Sequence, residues 1–368
     1  MLIFGLLAVA CAPRAASPSQ APAAGAAPAS GAAASSAAAQ PPAPRKVTFA
    51  IAVAVPDQGQ PWAFVPQGAG YFAEEGLDVE ILPNDGGGAA LKQVATGKAE
   101  FSLGSAENTL NAIAEGMPLR AFATLITRSI YDGIVLPDSP IQGYAALRGK
   151  RVGVSAFTSG AYPMAQAALA ENGVDPKKDV EFVTTGTGGP ALDALKTGKV
   201  DGIVTTDTQI AIFETLGTKA RRLPRPAAGQ VPGDQLLTRS ELLQRDPDLV
   251  ARFGRAVFKG IVFAQANPGA AVDYFVAQYP DAARGKSRDD HLLVLKARLD
   301  NMDLVPAQNG KWGFIPLDGY EEVQRLGLEL GTVKARQDLS QLMTNELSDR
   351  INAFDPEQVR QQARAAHS

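Results

Sequence analysis

Two glycine clusters, Gly86-Gly87-Gly88 and Gly186-Thr187-Gly188-Gly189, are the features of this sequence best suited to binding chemistry. Each cluster lies between an apolar run and an amphipathic run, a pattern that predicts a strand, a tight turn and the start of a helix. Glycine lets the backbone approach a ligand closely, and the unpaired N–H groups of a helix's first turn favour anions. Two opposed turns would therefore bind one anion, whereas the alternative is that the glycines only form tight strand–helix turns. The candidates for this role are Gly87, Gly88, Gly188 and Gly189.

Hydroxyl, carboxyl and amide side chains follow other predicted strands, at the strand ends where α/β sheets bind ligands. Thr158 and Ser159 follow one such strand, and their hydroxyls would either cap the next helix or bind an oxyanion. Ser105 is equally a candidate N-cap, and Asp207 could cap a helix or form an ion pair. The strand-end candidates for ligand binding are Ser105, Glu107, Asn108, Thr158, Ser159 and Asp207.

Arg128 follows the predicted strand that ends at Ile126, so its guanidinium could reach the mouth of a cleft. There it would bind a sulfonate, carboxylate or nitrate through two parallel hydrogen bonds; the alternative is a solvated surface arginine. Trp62 lies with Gln60 and Pro61 between the first strand and the first helix, where an aromatic ring could stack on an organic ligand or pack in the core. These residues complete the predicted ligand-binding set.

The elements that would position these residues occur twice, 101 residues apart. Asp78-Val79-Glu80 recurs as Asp179-Val180-Glu181, and 10 of the 31 positions from 78 to 108 are identical at this offset. Average composition would give roughly two or three identities. Each copy has the pattern of a strand, a helix and a second strand, and the repeat is too long for a solenoid. It therefore predicts two Rossmann-like α/β lobes that face a central cleft.

The order of elements along the chain predicts how the lobes are divided. Residues 46–136 and 140–230 each have the alternating pattern of one α/β lobe, whereas residues 233–368 are mainly helical after one short strand. A late helical block needs a sheet to cover, so we expect the chain to return near Gly233 and complete the first lobe. Lobe 1 would then comprise residues 46–136 and 233–368, and lobe 2 residues 140–230. The two crossovers would form a hinge.

The first 45 residues differ in composition from the rest. The apolar run from Leu2 to Ala10 suits a signal peptide, is too short to span a bilayer, and ends at Cys11 in a pattern that resembles a bacterial lipobox. Residues 12–45 are mostly Ala, Pro, Ser and Gly, which is typical of a disordered tether. We expect residues 1–11 to be a signal peptide with a lipobox, in which Cys11 is lipidated or the peptide is simply cleaved. The body would then lie in the periplasm or on the outer face of the cytoplasmic membrane.

The composition of the body excludes several kinds of site. A chain of 368 residues, 45% of them hydrophobic, can bury more than one core. Cys11 is the only cysteine, and His291 and His367 are the only histidines, so there is little scope for thiolate catalysis, a zinc site or histidine acid–base chemistry. A net charge of -3 gives no long-range attraction for nucleic acid. We expect no cofactor, no metal and no catalytic residue.

One segment resembles a family signature. Gly70-Tyr71-Phe72-Ala73-Glu74-Glu75-Gly76-Leu77-Asp78-Val79 is similar to a motif of the substrate-binding proteins of nitrate/sulfonate/taurine ABC importers, and later segments agree in order over about residues 46–359. The resemblance implies the type II periplasmic-binding fold, with a central cleft and two crossover hinges. It also implies a monomeric receptor that delivers a small-molecule ligand to an ABC permease. The later segments are residues 147–154, 248–253, 266–268 and 352–355.

Several functions remain open on this fold. We favour a receptor, not an enzyme, for a small organic or inorganic anion of the sulfonate, nitrate or carboxylate class. The alternatives are a thiamine-pyrimidine-precursor binding protein or a related enzyme, and a ligand-sensing module of a signalling assembly. Thiamine-pyrimidine synthases of this kind use a histidine and a cysteine-rich iron site, whereas this body offers only His291. Glu107 and Asp207 would favour a ligand with a cationic or hydroxyl group, so the ligand stays undetermined.

Overall fold

Apolar, β-branched stretches of the sequence form the strands, and Gly and Pro residues end them. The computed structural model describes residues 44–230, 232–302, 310–329 and 331–366. The predicted signal peptide, the tether up to residue 43, Cys11 and His367 lie outside these residues. The described strands are β1 Arg45–Ile51, β2 Leu77–Pro83, β3 Phe101–Gly104, β4 Leu119–Thr124, β5 Tyr131–Val135, β6 Lys150–Val154, β7 Val180–Thr184, β8 Gly202–Thr206, β9 Arg221–Arg222 and β10 Gln235–Arg239.

The helices fall into two groups along the chain. Those that alternate with strands are α1 Pro61–Gly68, α2 Tyr71–Glu74, α3 Gly87–Ala95, α4 Ala106–Ala114, α5 Ala161–Glu171, α6 Gly189–Lys196 and α7 Asp207–Thr215, with short 3₁₀ helices at Tyr144–Leu147 and Ala227–Gln230. The late block comprises α8 Ser240–Arg245, α9 Pro247–Ala266, α10 Pro268–Gln278, α11 Pro280–Ala283, α12 Arg288–Asn301, α13 Leu317–Glu329, α14 Leu339–Leu342, α15 Ser348–Ile351 and α16 Pro356–Ala365.

The strands form two five-stranded sheets with the same topology. The first has the order β2-β1-β3-β10-β4, and the second has the order β7-β6-β8-β5-β9. In each sheet the first three strands are parallel, and the fourth runs antiparallel to its neighbours. Because parallel strands end at one edge, the turns that follow them gather at one side of each sheet. The predicted fold class of two α/β lobes is confirmed.

The crossovers between the sheets lie side by side. The chain leaves the first sheet after β4 and returns to it at β10. The backbone N–H of Leu125 donates to the carbonyl of Asp234 at 2.8 Å, and that of Gly233 donates to the carbonyl of Ile126 at 2.9 Å. One boundary needs correction: the sequence predicts that lobe 1 extends to residue 136 and so includes β5. It pairs with β8 and β9 of the second sheet, so the chain crosses before Tyr131.

Aromatic packing forms the centre of lobe 1. The rings of Phe101 and Phe253 stack with their centroids 3.9 Å apart, and Phe49 meets Phe253 edge to face at 5.1 Å. Phe253 lies on α9, which begins at Pro247 and is capped by Asp246, whose Oδ1 accepts from the N–H of Leu249 at 3.0 Å. These side chains are buried, and each contributes roughly 1.5–3 kcal/mol through removal of apolar surface from water. The first sheet is therefore covered by the late helices.

The described part of the chain lacks both a membrane-spanning helix and a cluster of metal-binding side chains. None of its helices has the length and apolarity required to cross a bilayer. Nor does it contain a group of three or more His, Cys, Asp or Glu side chains placed to hold a metal ion.

Candidate functional site

A cavity of about 220 Å³ lies where the carboxyl ends of strands from the two sheets face each other. Lobe 1 contributes residues that follow its strands, among them Asp57 and Gly86. Lobe 2 contributes Ser155 after β6 and Gly186 after β7. Because both lobes form its wall, a ligand bound here would connect them.

The loop between β1 and α1 carries one carboxyl group of the cavity, Asp57. Its Oδ1 accepts from the N–H of Gly59 at 2.7 Å, and its own N–H donates to Oε1 of Gln60 at 3.0 Å. From the opposite lobe, Nε2 of Gln209 donates to Oδ2 of Asp57 at 3.4 Å. Burial raises the pKa of the Asp57 carboxyl, and the bond from Gly59 and the charge of Arg298 partly oppose this shift. Asp57 thus takes up a proton more readily than an exposed aspartate.

A buried arginine, Arg298 of α12, forms another side of the cavity. Its side chain is 2% exposed, and its Nη2 lies 2.8 Å from Oδ1 of Asp207, which is buried at the start of α7. The guanidinium carbon lies 5.5 Å from the centre of the Trp62 ring. Within the described residues, Nε and Nη1 of Arg298 and Nε1 of Trp62 are buried and have no hydrogen-bond partner. These N–H groups could each donate to an acceptor in the cavity.

The second carboxyl group is Asp234, on the return crossover just before β10. Its backbone carbonyl accepts from the N–H groups of Leu125 and Ile126, so both crossovers hold it at the cavity. Burial raises the pKa of Asp234 to about 6. Tyr131, at the start of β5, also lines the cavity, and burial raises the pKa of its phenol.

Carboxyl groups outnumber cations around this cavity. Asp57, Asp85 and Asp234 line it together with Arg298, whose charge is balanced by Asp207. An inorganic anion would meet these carboxylates as like charges, whereas an amine or a protonated ring nitrogen would be attracted to them. The electrostatics therefore favour a ligand with donor groups more than the simple anion that the glycine turns suggested.

Hydroxyl and amide groups of lobe 2 form the opposite wall. Oγ of Ser159 accepts from the N–H of Ala161 at 3.2 Å and so supports the first turn of α5.

Of the residues that the sequence proposed for ligand binding, Gln60, Trp62, Gly87 and Ser159 line the cavity. Pro61 and Gly189 begin α1 and α6 and are not part of the lining.

The glycine turns border the cavity, but two of their N–H groups are already used. The N–H of Gly88 donates to the carbonyl of Thr158 at 3.0 Å, and that of Gly188 donates to Oε1 of Gln209 at 2.7 Å. In this arrangement these two N–H groups are not available to an anion, because the opposite lobe and a neighbouring side chain satisfy them. Gly86, Gly87, Gly186 and Thr187 contribute to the wall of the cavity.

Other predicted ligand residues form the contact between the lobes. Oγ1 of Thr158 donates to the carbonyl of Asp85, and the carbonyl of Thr158 accepts from Nδ2 of Asn108 at 3.4 Å. Oγ of Ser105 accepts from the N–H of Asn108 at 3.3 Å, which makes Ser105 the N-cap of α4. Glu107 is also not part of the cavity lining, and burial raises its pKa to about 7. Ser105 is thus the N-cap that the alternative interpretation predicted, whereas Thr158 and Asn108 form a contact between the lobes that the sequence did not predict.

Arg128 and Asp207 border a second, open groove of about 640 Å³ instead of the cavity. Arg128 is exposed, and its Nη2 donates to the carbonyl of Asp300 near the end of α12 at 2.9 Å. Arg128 lies outside the cavity because its side chain is held against α12, so anion binding by Arg128 stays a prediction. Asp207 is an ion-pairing residue, the alternative that its position also allowed.

Sequence reasoning missed Asp57, Tyr131, Asp234 and Arg298. Asp57 lies in the loop between β1 and α1, so a search of the loops that follow strands would have found it. Asp234 and Arg298 belong to a crossover and to a late helix, and no spacing or motif around them indicates a ligand site. Only the packing of α12 against both lobes brings Arg298 to the cavity.

Comparisons with known proteins agree with this architecture. A model of the family described as NMT1/THI5 like matches residues 63–271 of the chain. The riboflavin-binding protein RibY of Chloroflexus aurantiacus is 24% identical in an alignment that covers 94% of this chain and 95% of that protein. The 4-amino-5-hydroxymethyl-2-methylpyrimidine phosphate synthase THI13 of Saccharomyces cerevisiae is 25% identical, over 56% of this chain and 63% of the synthase. The matched region therefore spans less than two thirds of the synthase.

A solved structure shows the same fold. The alkanesulfonate-binding protein SsuA from Xanthomonas axonopodis pv. citri, bound to MOPS, has a TM-score of 0.65 against this chain. The alignment covers 82% of this chain and 98% of SsuA, at 14% sequence identity. The two-lobed structure is thus the type II fold of periplasmic binding proteins.

Proposed function

We propose that this chain, which belongs to the NMT1/THI5-like family, is a non-catalytic receptor that encloses one small nitrogen heterocycle between its lobes. The ligand class that fits best is an amino-substituted pyrimidine. The observation that carries the proposal is the pair of carboxyl groups, Asp57 and Asp234, in a cavity that Trp62 and Tyr131 also line.

The carboxyl groups suit the edge of an aminopyrimidine. Such a ring presents an exocyclic amine beside a ring nitrogen, and one carboxyl group can accept from the amine while it shares a proton with the ring nitrogen. The pKa of Asp234 is raised to about 6, so its carboxyl can donate or accept a proton near neutral pH. The hydrogen bonds would be charge-assisted, which makes them stronger than bonds between neutral groups.

The size and the aromatic lining favour a single ring. Pockets for drug-sized ligands usually measure about 300–1,000 Å³, and this cavity measures about 220 Å³. One substituted ring fits that volume better than the three fused rings of a flavin. We therefore expect riboflavin to bind more weakly than an aminopyrimidine, although RibY aligns over most of the chain.

The residues near the cavity support binding more than catalysis. His291 is buried, hydrogen-bonds to Nε2 of Gln58 through Nδ1, and does not line the cavity. Burial lowers the pKa of His291, so the imidazole stays neutral near pH 7. Cys11 is the only cysteine in the sequence. A synthase that relies on histidine and cysteine chemistry would need such groups at its ligand.

Isothermal titration calorimetry of the full chain tests the proposal. The panel comprises 4-amino-5-hydroxymethyl-2-methylpyrimidine, riboflavin, taurine, an alkanesulfonate and nitrate. We expect the aminopyrimidine to bind with a dissociation constant of about 1 µM or tighter. Asp234→Asn should weaken this binding roughly 10- to 100-fold, because it removes a charged hydrogen-bond partner.

The matched control is Asp138→Asn, an exposed aspartate outside the cavity lining, which should leave the affinity unchanged. Binding of nitrate or an alkanesulfonate without binding of the aminopyrimidine would contradict the ligand class. Conversion of the pyrimidine to a new product, detected by mass spectrometry after incubation, would contradict the non-catalytic role.

An aminosulfonate such as taurine is the second candidate ligand. Its support is the set of buried N–H groups without a partner in the described residues, Nε and Nη1 of Arg298 and Nε1 of Trp62. A sulfonate oxygen would accept from these donors while the ammonium group met Asp57 or Asp234. In the same calorimetric panel, taurine binding that Arg298→Lys weakens would favour this candidate.

We further propose that the receptor acts outside the cytoplasmic membrane and delivers its ligand to an ABC permease. The signal-peptide pattern and the fold shared with SsuA support this role. Lipidation at Cys11 stays a prediction from sequence. Fractionation of cells should find the wild-type chain with membranes and the Cys11→Ser variant in the soluble extracytoplasmic fraction; equal distribution of the two would contradict the anchor.

A further inference from the structure

Helix α12 belongs to the late block that covers lobe 1, yet it also packs against lobe 2. Leu295 is fully buried in the core of lobe 1. Its neighbour Val294 packs with Ala211 and Ile212 of α7 in a small apolar cluster. Apart from the crossovers, α12 is thus a further place where the lobes are joined.

A buried ion pair lies in this contact. Nη2 of Arg298 on α12 is 2.8 Å from Oδ1 of Asp207 on α7, and the two side chains are only 2% and 4% exposed. Asp207 occupies the first position of α7, where the helix N-terminus favours a carboxylate. Removal of either partner would leave an uncompensated buried charge, which is strongly destabilising for the arrangement that buries it.

The two partners of this pair face different spaces. Arg298 lines the ligand cavity, and Asp207 lines the open groove of about 640 Å³. Arg298 also keeps Nε and Nη1 buried without a partner among the described residues, beside the ring of Trp62. One guanidinium therefore holds lobe 2 with one nitrogen and has two further nitrogens for an acceptor in the cavity.

We propose that the Arg298–Asp207 pair is a latch between the lobes, and that Arg298 is the positioning residue through which a bound ligand stabilises the closed arrangement. When the lobes separate, Asp207 moves with α7, whereas Arg298 stays with α12 on lobe 1. A ligand acceptor on Nε or Nη1 holds the guanidinium in the orientation that Asp207 requires. The ligand half of this inference rests on the proposed receptor function; the latch itself concerns the ligand-free protein.

Hydrogen–deuterium exchange of the ligand-free full chain tests the latch. Asp207→Asn and Arg298→Gln should each speed amide exchange in α7 and α12 at least 10-fold and should increase the radius of gyration measured by small-angle scattering. Glu241→Gln is the control, because it breaks an exposed pair with Arg245 on α8. The proposal would be overturned if both latch variants showed the same exchange rates and the same radius of gyration as the control. If Arg298→Gln does not fold, Asp207→Asn alone decides the test.

Calorimetry with 4-amino-5-hydroxymethyl-2-methylpyrimidine tests the coupling to the ligand. Asp207→Asn should weaken binding about 10-fold or more, although Asp207 is not part of the cavity lining. Arg298→Lys, which keeps the charge, should bind more tightly than Arg298→Gln, an order that a merely structural role would not produce. Unchanged affinity in Asp207→Asn would overturn the coupling. Failure of the wild-type chain to bind this probe would overturn the ligand half together with the proposed function, whereas the exchange result would still decide the latch.

Discussion

The two strand–turn–helix units, residues 78–108 and 179–209, have the same backbone plan but contact the rest of the molecule differently. Helices α4 and α7 begin and end 101 residues apart. Their N-caps are equivalent as well, because Oγ of Ser105 accepts from Asn108 and Oγ1 of Thr206 accepts from Gln209, both at 3.3 Å. The repeat thus preserves the helix bounds and N-caps of the two units, and we call this shared backbone arrangement the frame.

The difference lies in what each unit presents to the opposite lobe. The first unit contacts the opposite lobe mainly through backbone, with one side-chain bond from Asn108. A Cβ added to Gly86 would lie 2.9 Å from the backbone of Thr158 and Ser159, whereas one added to Gly188 or Gly189 would meet nothing within 4 Å. The second unit uses side chains, since Asp207 pairs with Arg298 and Gln209 bonds to Asp57. At the position equivalent to Asp207, the first unit has the buried Ala106. The two units share one backbone arrangement but hold the lobes together differently, the first mainly through close backbone contact and the second through side-chain bonds.

The largest effect is expected from Gly86→Ala. Gly86 has φ 91° and ψ 165°, a region that only glycine adopts readily, and its new Cβ would meet backbone atoms of the opposite lobe, which cannot rotate away. We expect closure to be blocked and ligand affinity to fall about 100-fold, which corresponds to roughly 2.7 kcal/mol. Calorimetry together with small-angle scattering would measure both effects.

Gly186→Ala is the control for this prediction, because Gly186 also has a positive φ of 69° but has open space around its Cβ position. It should cost roughly 1–2 kcal/mol of folding stability without blocking closure. A milder test compares Gly88→Ala, whose Cβ would lie 3.3 Å from the carbonyl of Thr158, with the equivalent Gly189→Ala. If the lobes of the first-unit variants close as readily as those of the second-unit variants, as measured by small-angle scattering, the proposed difference between the turns is wrong.

The shared frame was the part that sequence could predict. The repeat of Asp-Val-Glu, paired glycines and Thr-Gly-Lys indicated two α/β units, and the late helical block indicated a return to the first sheet. These features depend on local patterns of apolar residues and turn residues, which a sequence displays directly. The misplacement of β5 has the same explanation, because its strand pattern is local but its choice of sheet is set by distant partners.

The site was predicted only where it follows strand ends. Trp62 and Gly87 line the cavity because they lie in the first turns of α1 and α3, the helices that follow β1 and β2. Arg298 could not be found in this way, since it lies on a late helix and reaches the cavity only because α12 packs against α7. Arg128 follows a strand but bonds to Asp300, so position alone did not determine where its long side chain points.

An intermediate effect is expected from pH, and it should involve the first unit alone. Burial raises the pKa of Glu107 from 4.5 to about 7, whereas the equivalent residue of the second unit is Thr208, which does not titrate. Between pH 4.5 and about 7, Glu107 is protonated in the folded protein but ionised in the unfolded chain. The contribution of Glu107 to folding stability is therefore most favourable below about pH 4.5 and is lost as the pH rises to about 7. Glu107→Gln should remove this loss and be more stable than wild type at pH 8, by on the order of 1–3 kcal/mol.

Melting temperatures measured from pH 4 to pH 8 check this prediction. Wild type and Glu107→Gln should melt at similar temperatures at pH 4 and diverge as the pH rises. The raised pKa values of Asp57 and Asp234 should leave a residual slope in the variant. Glu241→Gln, at an exposed position, should follow the wild-type curve. Parallel curves for wild type and Glu107→Gln would show that Glu107 ionises normally and that the two units do not differ in this respect.

The smallest effect should be the same in both units, because it probes the frame they share. Ser105→Ala and Thr206→Ala each remove an N-cap that accepts one backbone N–H, and each should cost about 1 kcal/mol of folding stability. Thr96→Ala and Thr197→Ala are controls at another equivalent pair, whose exposed hydroxyls bond to carbonyls four residues earlier. These should cost less than about 0.5 kcal/mol, since surface substitutions usually do. Chemical denaturation would measure all four. A much larger loss for one cap than for the other would mean that the frame itself has diverged, and the contrast between the units could then no longer be assigned to their contacts with the opposite lobe.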